Sequence, residues 1–189
     1  MMKRIILVPL GDIPSDLIDG LKNDLGLFRL ETVVELPEPE PAYAFDPSRG
    51  QYRSTMILKR LKSEASVDDL ILGITSVDLF SKNLTFVFGE AEIGGIVAVI
   101  SLARLDQSFY GTKSDNDLLL KRIKKEAIHE LGHVFGLNHC NDVHCAMYYS
   151  NDLVDTDNKK DDYCDLCKKG VEPFFDNQGD DISRRAGFS

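Results

Sequence analysis

Residues 117–139 have the sequence DLLLKRIKKEAIHELGHVFGLNH, the most strongly patterned segment of the chain. From Asp117 to Phe135 the apolar residues recur at helical spacing, and Ser114 or Asp115 stands where an N-cap is expected. One face of this helix carries Leu120, Ile123, Ala127, Leu131 and Val134. Gly136 follows where the stripe ends, and glycine tolerates the left-handed conformation that closes a helix. We therefore predict a long amphipathic helix that packs on a sheet and ends in a sharp turn.

Three histidines of this segment have the spacing of metal ligands. His129 and His133 are four residues apart, so their imidazoles lie one turn apart on the helix face opposite the apolar stripe. The turn at Gly136 brings His139 to the same metal ion. Three neutral imidazoles leave the fourth position of tetrahedral zinc to water, which is the arrangement of a catalytic site.

Glu130 is the expected general base. It follows His129 directly, about 100° round the helix, where it can reach a zinc-bound water without being a ligand. The expected reaction is hydrolysis of a peptide bond, in which Glu130 takes the proton of the water and the zinc polarises the scissile carbonyl. A chance occurrence of the full pattern has a probability on the order of one in 10⁵.

Two other functions compete with this hypothesis. Certain bacterial RNA-processing metalloproteins place three histidines at the same spacing, but they lack the glutamate at the position of Glu130. A catalytically silent, zinc-stabilised peptide-binding protein could keep the whole pattern. The sequence favours the peptidase over both.

The four cysteines form two pairs with the spacing of metal-binding knuckles. Cys140 and Cys145 are separated by four residues, and Cys164 and Cys167 by two. A structural zinc ion held by all four thiolates is favoured over two disulfide bridges, because disulfides are rare in cytosolic proteins. His144 could replace one thiolate, although four thiols suffice without it. We thus expect two zinc ions per chain, one catalytic and one structural.

The rest of the chain mixes strands and helices. Apolar runs predict strands over Lys3–Val8, Arg29–Leu36, Leu70–Ile74, Thr85–Phe88 and Ile96–Leu102, and helical spacing predicts helices over Pro14–Leu25 and Ser54–Ser66. This mixture indicates an α/β fold. Residues 140–189 are polar and loop-rich, and the Phe174–Phe175 pair with Arg184 and Arg185 is expected to dock this tail onto the rest of the chain.

The histidine motif followed by a methionine, Met147, resembles the metzincin clan of zinc metallopeptidases. With Cys140-x4-Cys145-x-Met147 and Cys164-x2-Cys167 added, residues 129–167 resemble the archaemetzincins in particular. The resemblance implies an α/β fold with a mixed twisted sheet, backing helices and an active-site helix. It also implies a short loop-rich C-terminal subdomain with the four-cysteine zinc site. We expect an N-terminal subdomain of residues 1–139 and a C-terminal one of residues 140–189.

The resemblance assigns further roles. Met147 becomes the Met-turn residue, an apolar floor beneath the zinc. Tyr149, two residues later, stands where some metzincins have a tyrosine that assists at the metal. Metzincins usually bind an extended peptide along an exposed sheet edge, for which Gly94–Leu102 is the best candidate.

Charge and composition limit the partners. The 22 basic and 31 acidic residues give a formal charge of −9, which opposes nucleic-acid binding. One basic cluster, interpreted as the solvated face of a helix, comprises Lys121, Arg122, Lys124 and Lys125. The apolar run Ile5–Val8 is too short for a signal peptide, and no stretch is long enough to span a membrane. We therefore expect a cytoplasmic, monomeric enzyme whose partners are peptides or proteins.

Overall fold

The structure, a computed structural model, describes residues 4–66 and 68–176, without the side chains of residues 175 and 176. In chain order the strands are β1 (Arg4–Leu10), β2 (Glu31–Val34), β3 (Phe45–Asp46), β4 (Gln51–Arg53), β5 (Asp69–Thr75), β6 (Leu79–Phe80), β7 (Gly89–Ala91) and β8 (Val97–Ser101). The α-helices are α1 (Ser15–Asp24), α2 (Ser54–Glu64), α3 (Asn116–Val134), α4 (Leu153–Asn158) and α5 (Asp165–Asp176). Short 3₁₀ helices span Leu25–Phe28, Ala42–Ala44 and Gln107–Tyr110.

A five-stranded mixed sheet organises the molecule, in the order β2-β1-β5-β8-β7. The first four strands in this order are parallel, and β7 runs antiparallel to β8 at the edge. A smaller sheet has the order β3-β4-β6. The three central parallel strands β1, β5 and β8 are mostly apolar and are buried along nearly their whole length, because helices cover both faces of the sheet.

The two faces of the sheet are packed by different helices. Ile5 and Leu7 point into a core shared with α1 and α3, whereas Ile6 and Val8 point into a second core shared with α2. Successive side chains of a strand alternate between faces, which is why one strand supplies both cores. The result is a three-layer arrangement that holds α3 against one face of the sheet.

Most of the predicted elements are confirmed within a few residues. Two predictions, one of a strand and one of the sheet edge, are wrong. Thr85–Phe88 is not a ladder strand, although Val87 makes an isolated bridge to Leu79, and the strand begins at Gly89 instead. Gly94–Leu102 is not the exposed edge, because β8 is paired on one side with β5 and on the other with β7. The edges of the main sheet are β2 and β7, and β7 is the edge that contacts α3.

Helix α3 begins and ends close to where its sequence predicts. The Asp115 side chain accepts a hydrogen bond from the Leu118 amide at 3.0 Å and is the N-cap, whereas Ser114 donates to Asp106. Gly136 has a φ of 91°, in the left-handed region, and its amide donates to the His133 carbonyl. This turn ends the helix and redirects the chain toward His139.

The basic cluster on α3 is a solvated helix face only at Lys121, and the other three residues contact the segment after the metal-ligand motif. Arg122 is buried and donates to both carboxylate oxygens of Asp157 at 2.7 Å. Lys124 pairs with Asp161, and Lys125 donates to carbonyls at the end of α4. These side chains therefore dock the segment that follows the metal-ligand motif onto α3.

The described part of the tail contains two helices, α4 and α5, joined by turns. Several of its residues complete the core that α1 and α3 share: Cys145, Ala146, Met147, Tyr163, Cys167 and Val171. The Phe174 ring lies 5.4 Å from that of Phe135, as expected for docking. Arg184 and Arg185 lie outside the described residues, as does the side chain of Phe175. Among the helices that the structure describes, none is long and apolar enough to cross a membrane.

Candidate active site

Three imidazoles converge at the C-terminal end of α3. The Nε2 atom of His133 lies 3.2 Å from that of His129 and 3.3 Å from that of His139. Ligands at the usual zinc–nitrogen distance of about 2.0–2.1 Å in a tetrahedral site are about 3.3 Å apart. The spacing of the three nitrogen atoms therefore fits a zinc ion.

The other ring nitrogens fix the orientation of the histidines. His129 Nδ1 donates to the Ala146 carbonyl at 2.8 Å, and His133 Nδ1 donates to the Leu137 carbonyl at 2.7 Å. A carbonyl can only accept, so the proton is on Nδ1 and the lone pair of Nε2 faces the cluster. Burial lowers the pKa of all three imidazoles, most strongly that of His129, and the charge of Lys159 adds to the lowering. Both effects favour the neutral form that binds metal.

Glu130 is buried beside this cluster. Burial is the main cause that raises its pKa well above the usual value, and the neighbouring carboxyl group of Glu126 contributes. Within the described part of the chain, its Oε2 atom has no hydrogen-bond partner. An unpartnered buried carboxylate oxygen is costly and needs a function or a ligand to explain it.

Strand β7 lies directly against Glu130. A Cβ atom built on Gly89 would come within 2.6 Å of Glu130 Oε1 and 2.7 Å of its Cγ. After β7 the chain turns, and the Gly94 amide donates to the His133 carbonyl at 2.9 Å. This hydrogen bond links the segment after β7 to the C-terminal end of α3.

Met147 is fully buried and packs against Gly132, the residue before His133 on α3. A Cβ atom on Gly132 would approach its Sδ atom to 2.3 Å, so the absence of a side chain at Gly132 is what allows this packing. Tyr163 fills the same region and donates to the Ile128 carbonyl at 2.7 Å. Met147 is thus buried against α3, and its role as an apolar floor stays a prediction.

The four cysteines are free thiols, and their Sγ atoms lie within 4.8 Å of one another. Cys140 and Cys164 are separated by 3.8 Å between Sγ atoms. Sulfur ligands of a tetrahedral zinc ion, each about 2.3 Å from the metal, are also about 3.8 Å apart. Burial raises the pKa of the Cys145 and Cys167 thiols, so a cation is needed to stabilise these two as thiolates.

The two clusters are mechanically connected. Cys140 follows His139 directly, and its amide donates to the Met147 carbonyl at 2.9 Å. Amides of the same region donate to thiols: that of Met147 lies 3.4 Å and that of Cys164 lies 3.3 Å from Cys145 Sγ. The cysteine cluster is therefore connected both to the loop that carries His139 and to the segment that carries Met147.

Two further sequence candidates lie at the periphery. His144 is exposed, with Nδ1 3.4 Å from the Asn158 carbonyl, and in the described residues the thiol cluster forms without it. The Tyr149 ring lies 5.0 Å from that of His139 and is partly exposed, so it borders the cluster. Sequence reasoning missed Gly89, Gly132 and Lys159, whose roles depend on contacts between distant segments. Glu126 carried a local signal, because it stands one helical turn before Glu130.

Comparison with known proteins places this site in a family. Residues 33–173 match the model of peptidase family M54. An archaemetzincin of Methanocaldococcus jannaschii is 45% identical over 174 residues, which cover 91% of this chain and 94% of that protein. An archaemetzincin of Pyrococcus furiosus is 40% identical, with 91% of this chain and 94% of that protein covered.

Solved structures agree with the sequence matches. Archaemetzincin from Methanopyrus kandleri is 36% identical with a TM-score of 0.81, covering 93% of this chain and 96% of that one. Archaemetzincin from Archaeoglobus fulgidus, complexed with malonate, is 37% identical with a TM-score of 0.78, covering 90% of this chain and all of that one. The chain therefore belongs to peptidase family M54, the archaemetzincins, and is a zinc metallopeptidase.

Proposed function

We propose that this chain hydrolyses peptide bonds at a zinc ion held by His129, His133 and His139, with Glu130 as general base. The observation that carries the proposal is the convergence of three Nε2 atoms beside an unpartnered carboxylate oxygen. This set of donors fits zinc, which prefers imidazole nitrogen and thiolate sulfur. When bound, zinc would polarise the scissile carbonyl and acidify a water molecule.

The side chains of this chain supply the remaining steps. Glu130 accepts the proton of the attacking water through Oε2 and delivers it to the amine of the leaving peptide. Its raised pKa favours the second of these steps, because a carboxyl group of ordinary pKa would be a poor proton donor near neutral pH. Met147 excludes water from beneath the histidines.

The substrate is proposed to lie along β7. This strand is the edge of the main sheet that contacts α3, so its amides and carbonyls on the side away from β8 would be available to an extended peptide. Gly89 lies over Glu130, so a peptide paired with β7 would run past the base. This geometry supports a peptide substrate, and the formal charge of −9 supports the proposal that nucleic acid is not one.

A second zinc ion is proposed at Cys140, Cys145, Cys164 and Cys167. It would stabilise residues 140–189 as a small subdomain, because metal binding contributes directly to the free energy of folding. The free thiols support a reducing, cytoplasmic compartment. Both clusters are complete within one chain, which supports a monomer.

Metal analysis tests the two-site proposal without a substrate. We expect about two zinc ions per wild-type chain and about one in each of His133→Ala and Cys164→Ser. Cys164→Ser should also unfold at a lower temperature, whereas His133→Ala should retain the cysteine-bound ion. A wild-type protein with one ion or none would contradict the proposal.

The variant Glu130→Gln distinguishes the peptidase from a silent peptide-binding protein. It should keep both zinc ions and lose about 10²–10⁴-fold of the hydrolysis rate, measured with quenched fluorescent peptides. The matched control is Glu172→Gln at an exposed glutamate of α5. If Glu130→Gln hydrolyses these peptides at the wild-type rate, Glu130 is not the base.

A further inference from the structure

A fully buried lysine lies close to the active-site helix. Lys159 follows α4 directly, has 0% of its side-chain surface exposed, and places Nζ 3.3 Å from Glu126 Oε2. Glu126 is itself buried in the middle of α3. Lysine is almost never fully buried without a partner, so this ion pair needs an explanation beyond chance packing.

The position of the pair along α3 provides the explanation. Glu126 is one turn before Glu130 and three residues before His129. The charged groups that act on Glu130 are Glu126 on the same helix, Lys159 after α4, and Glu90 on β7. Lys159 is the cation among them, and burial keeps its field from being screened by water.

The ion pair of Glu126 and Lys159 lies close to the histidine cluster on α3. Glu126 and His129 are three residues apart on α3, so their side chains are neighbours on the helix surface and the buried ion pair lies within one helical turn of a proposed zinc ligand. A metal ion held between the imidazoles would experience the field of this pair. Negative charge near a cation strengthens its binding and reduces its electrophilicity, and a nearby ammonium group has the opposite effect.

We propose that Lys159 is a positioning residue for the zinc site, which balances the charge of Glu126 and so keeps the bound metal electrophilic at the expense of affinity. The inference rests on the proposed function, since it requires zinc at the three histidines. It differs from a purely structural role, in which Lys159 would only fasten α4 to α3. The two roles predict opposite changes in zinc affinity.

A four-protein charge cycle tests the inference. The zinc dissociation constant of the histidine site is measured by chelator competition for wild type, Glu126→Gln, Lys159→Met and the double variant. Loss of Glu126 charge should weaken zinc binding by about tenfold or more, and loss of Lys159 charge should tighten it by a similar factor. The double variant should return close to wild type because it restores the net charge.

Activity gives a second readout. At full zinc loading, Lys159→Met should lower kcat about tenfold with KM unchanged, on a peptide selected from a quenched fluorescent library. The matched control is Lys160→Met, which removes the same charge from the neighbouring exposed position and should alter neither value. Lys159→Arg keeps the charge and should keep the zinc affinity.

The outcomes are distinct. If Lys159→Met does not fold, Glu126→Gln can still be compared with the double variant. These two proteins differ only in the charge of residue 159, and neither contains a buried unpaired carboxylate at residue 126. Equal zinc affinity in that pair, or weaker binding in the double variant, would overturn the inference and indicate a structural role. A wild-type histidine site that binds no zinc would instead refute the proposed function and the inference with it.

Discussion

Replacement of Gly89 by alanine is expected to impair catalysis without removing zinc. The new Cβ would lie 2.6 Å from Glu130 Oε1, 2.7 Å from Cγ and 2.9 Å from Cδ. Carbon atoms at van der Waals contact are about 3.5–4.0 Å apart, so the carboxyl group must retreat by roughly 0.8 Å. Strand β7 cannot easily yield, because it is paired with β8 and followed by the Gly94 contact to α3.

The magnitude follows from the position of the proposed base. A displacement close to 1 Å at a catalytic group can reduce the rate about 10²-fold, which is about 2.7 kcal/mol of transition-state stabilisation. The free energy of unfolding should change by only about 1–2 kcal/mol, because the atoms that the new Cβ crowds belong to the flexible side chain of Glu130. Alanine also reduces the conformational entropy of the unfolded chain, which offsets part of this cost.

The assay compares kcat/KM, zinc content and thermal stability of Gly89→Ala with those of wild type. Gly26→Ala is the matched control, since a Cβ there meets nothing within 4 Å. We expect Gly89→Ala to keep both zinc ions and lose most of its activity. Wild-type activity in this variant would refute the placement of β7 against the base, and joint loss of activity and zinc would show that the substitution disrupts the metal site instead.

Two further predictions concern stability. Tyr163 is buried and its pKa is raised well above the usual value, mainly by burial, so the folded state keeps a proton that the unfolded state releases above about pH 10. The free energy of unfolding should therefore fall as the pH rises above about 10. Urea titrations at about pH 9 and pH 11 should show a smaller fall for Tyr163→Phe than for wild type. An equal fall in the two proteins would contradict this prediction. Asp157→Ala leaves the buried Arg122 guanidinium with the Leu105 carbonyl alone, which should cost about 1–3 kcal/mol and lower the melting temperature. An unchanged melting temperature would show that the docking of α4 does not depend on this pair.

The strand predictions show where local patterns fail. Thr85–Phe88 has the apolar residues of a strand, whereas Gly89–Ala91 has a glycine and a glutamate with little β-propensity. The latter segment forms the ladder because its backbone is opposite β8. Strand order depends on which segments meet in space, so the identity of the edge strand was not available from the sequence.

By itself, the sequence determined the metal-binding motif and the helix that carries it. The spacing of His129 and His133 acts through the fixed geometry of an α-helix, and Gly136 acts through its own backbone freedom, so both effects are local. Only the tertiary structure decided which side chains surround the site. Lys159 and Lys160 are identical neighbours in the sequence, yet one is buried against Glu126 and the other is exposed. That difference arises from contacts between residues 33 positions apart, and the free energy of such contacts depends on the packing of the whole chain rather than on any local pattern.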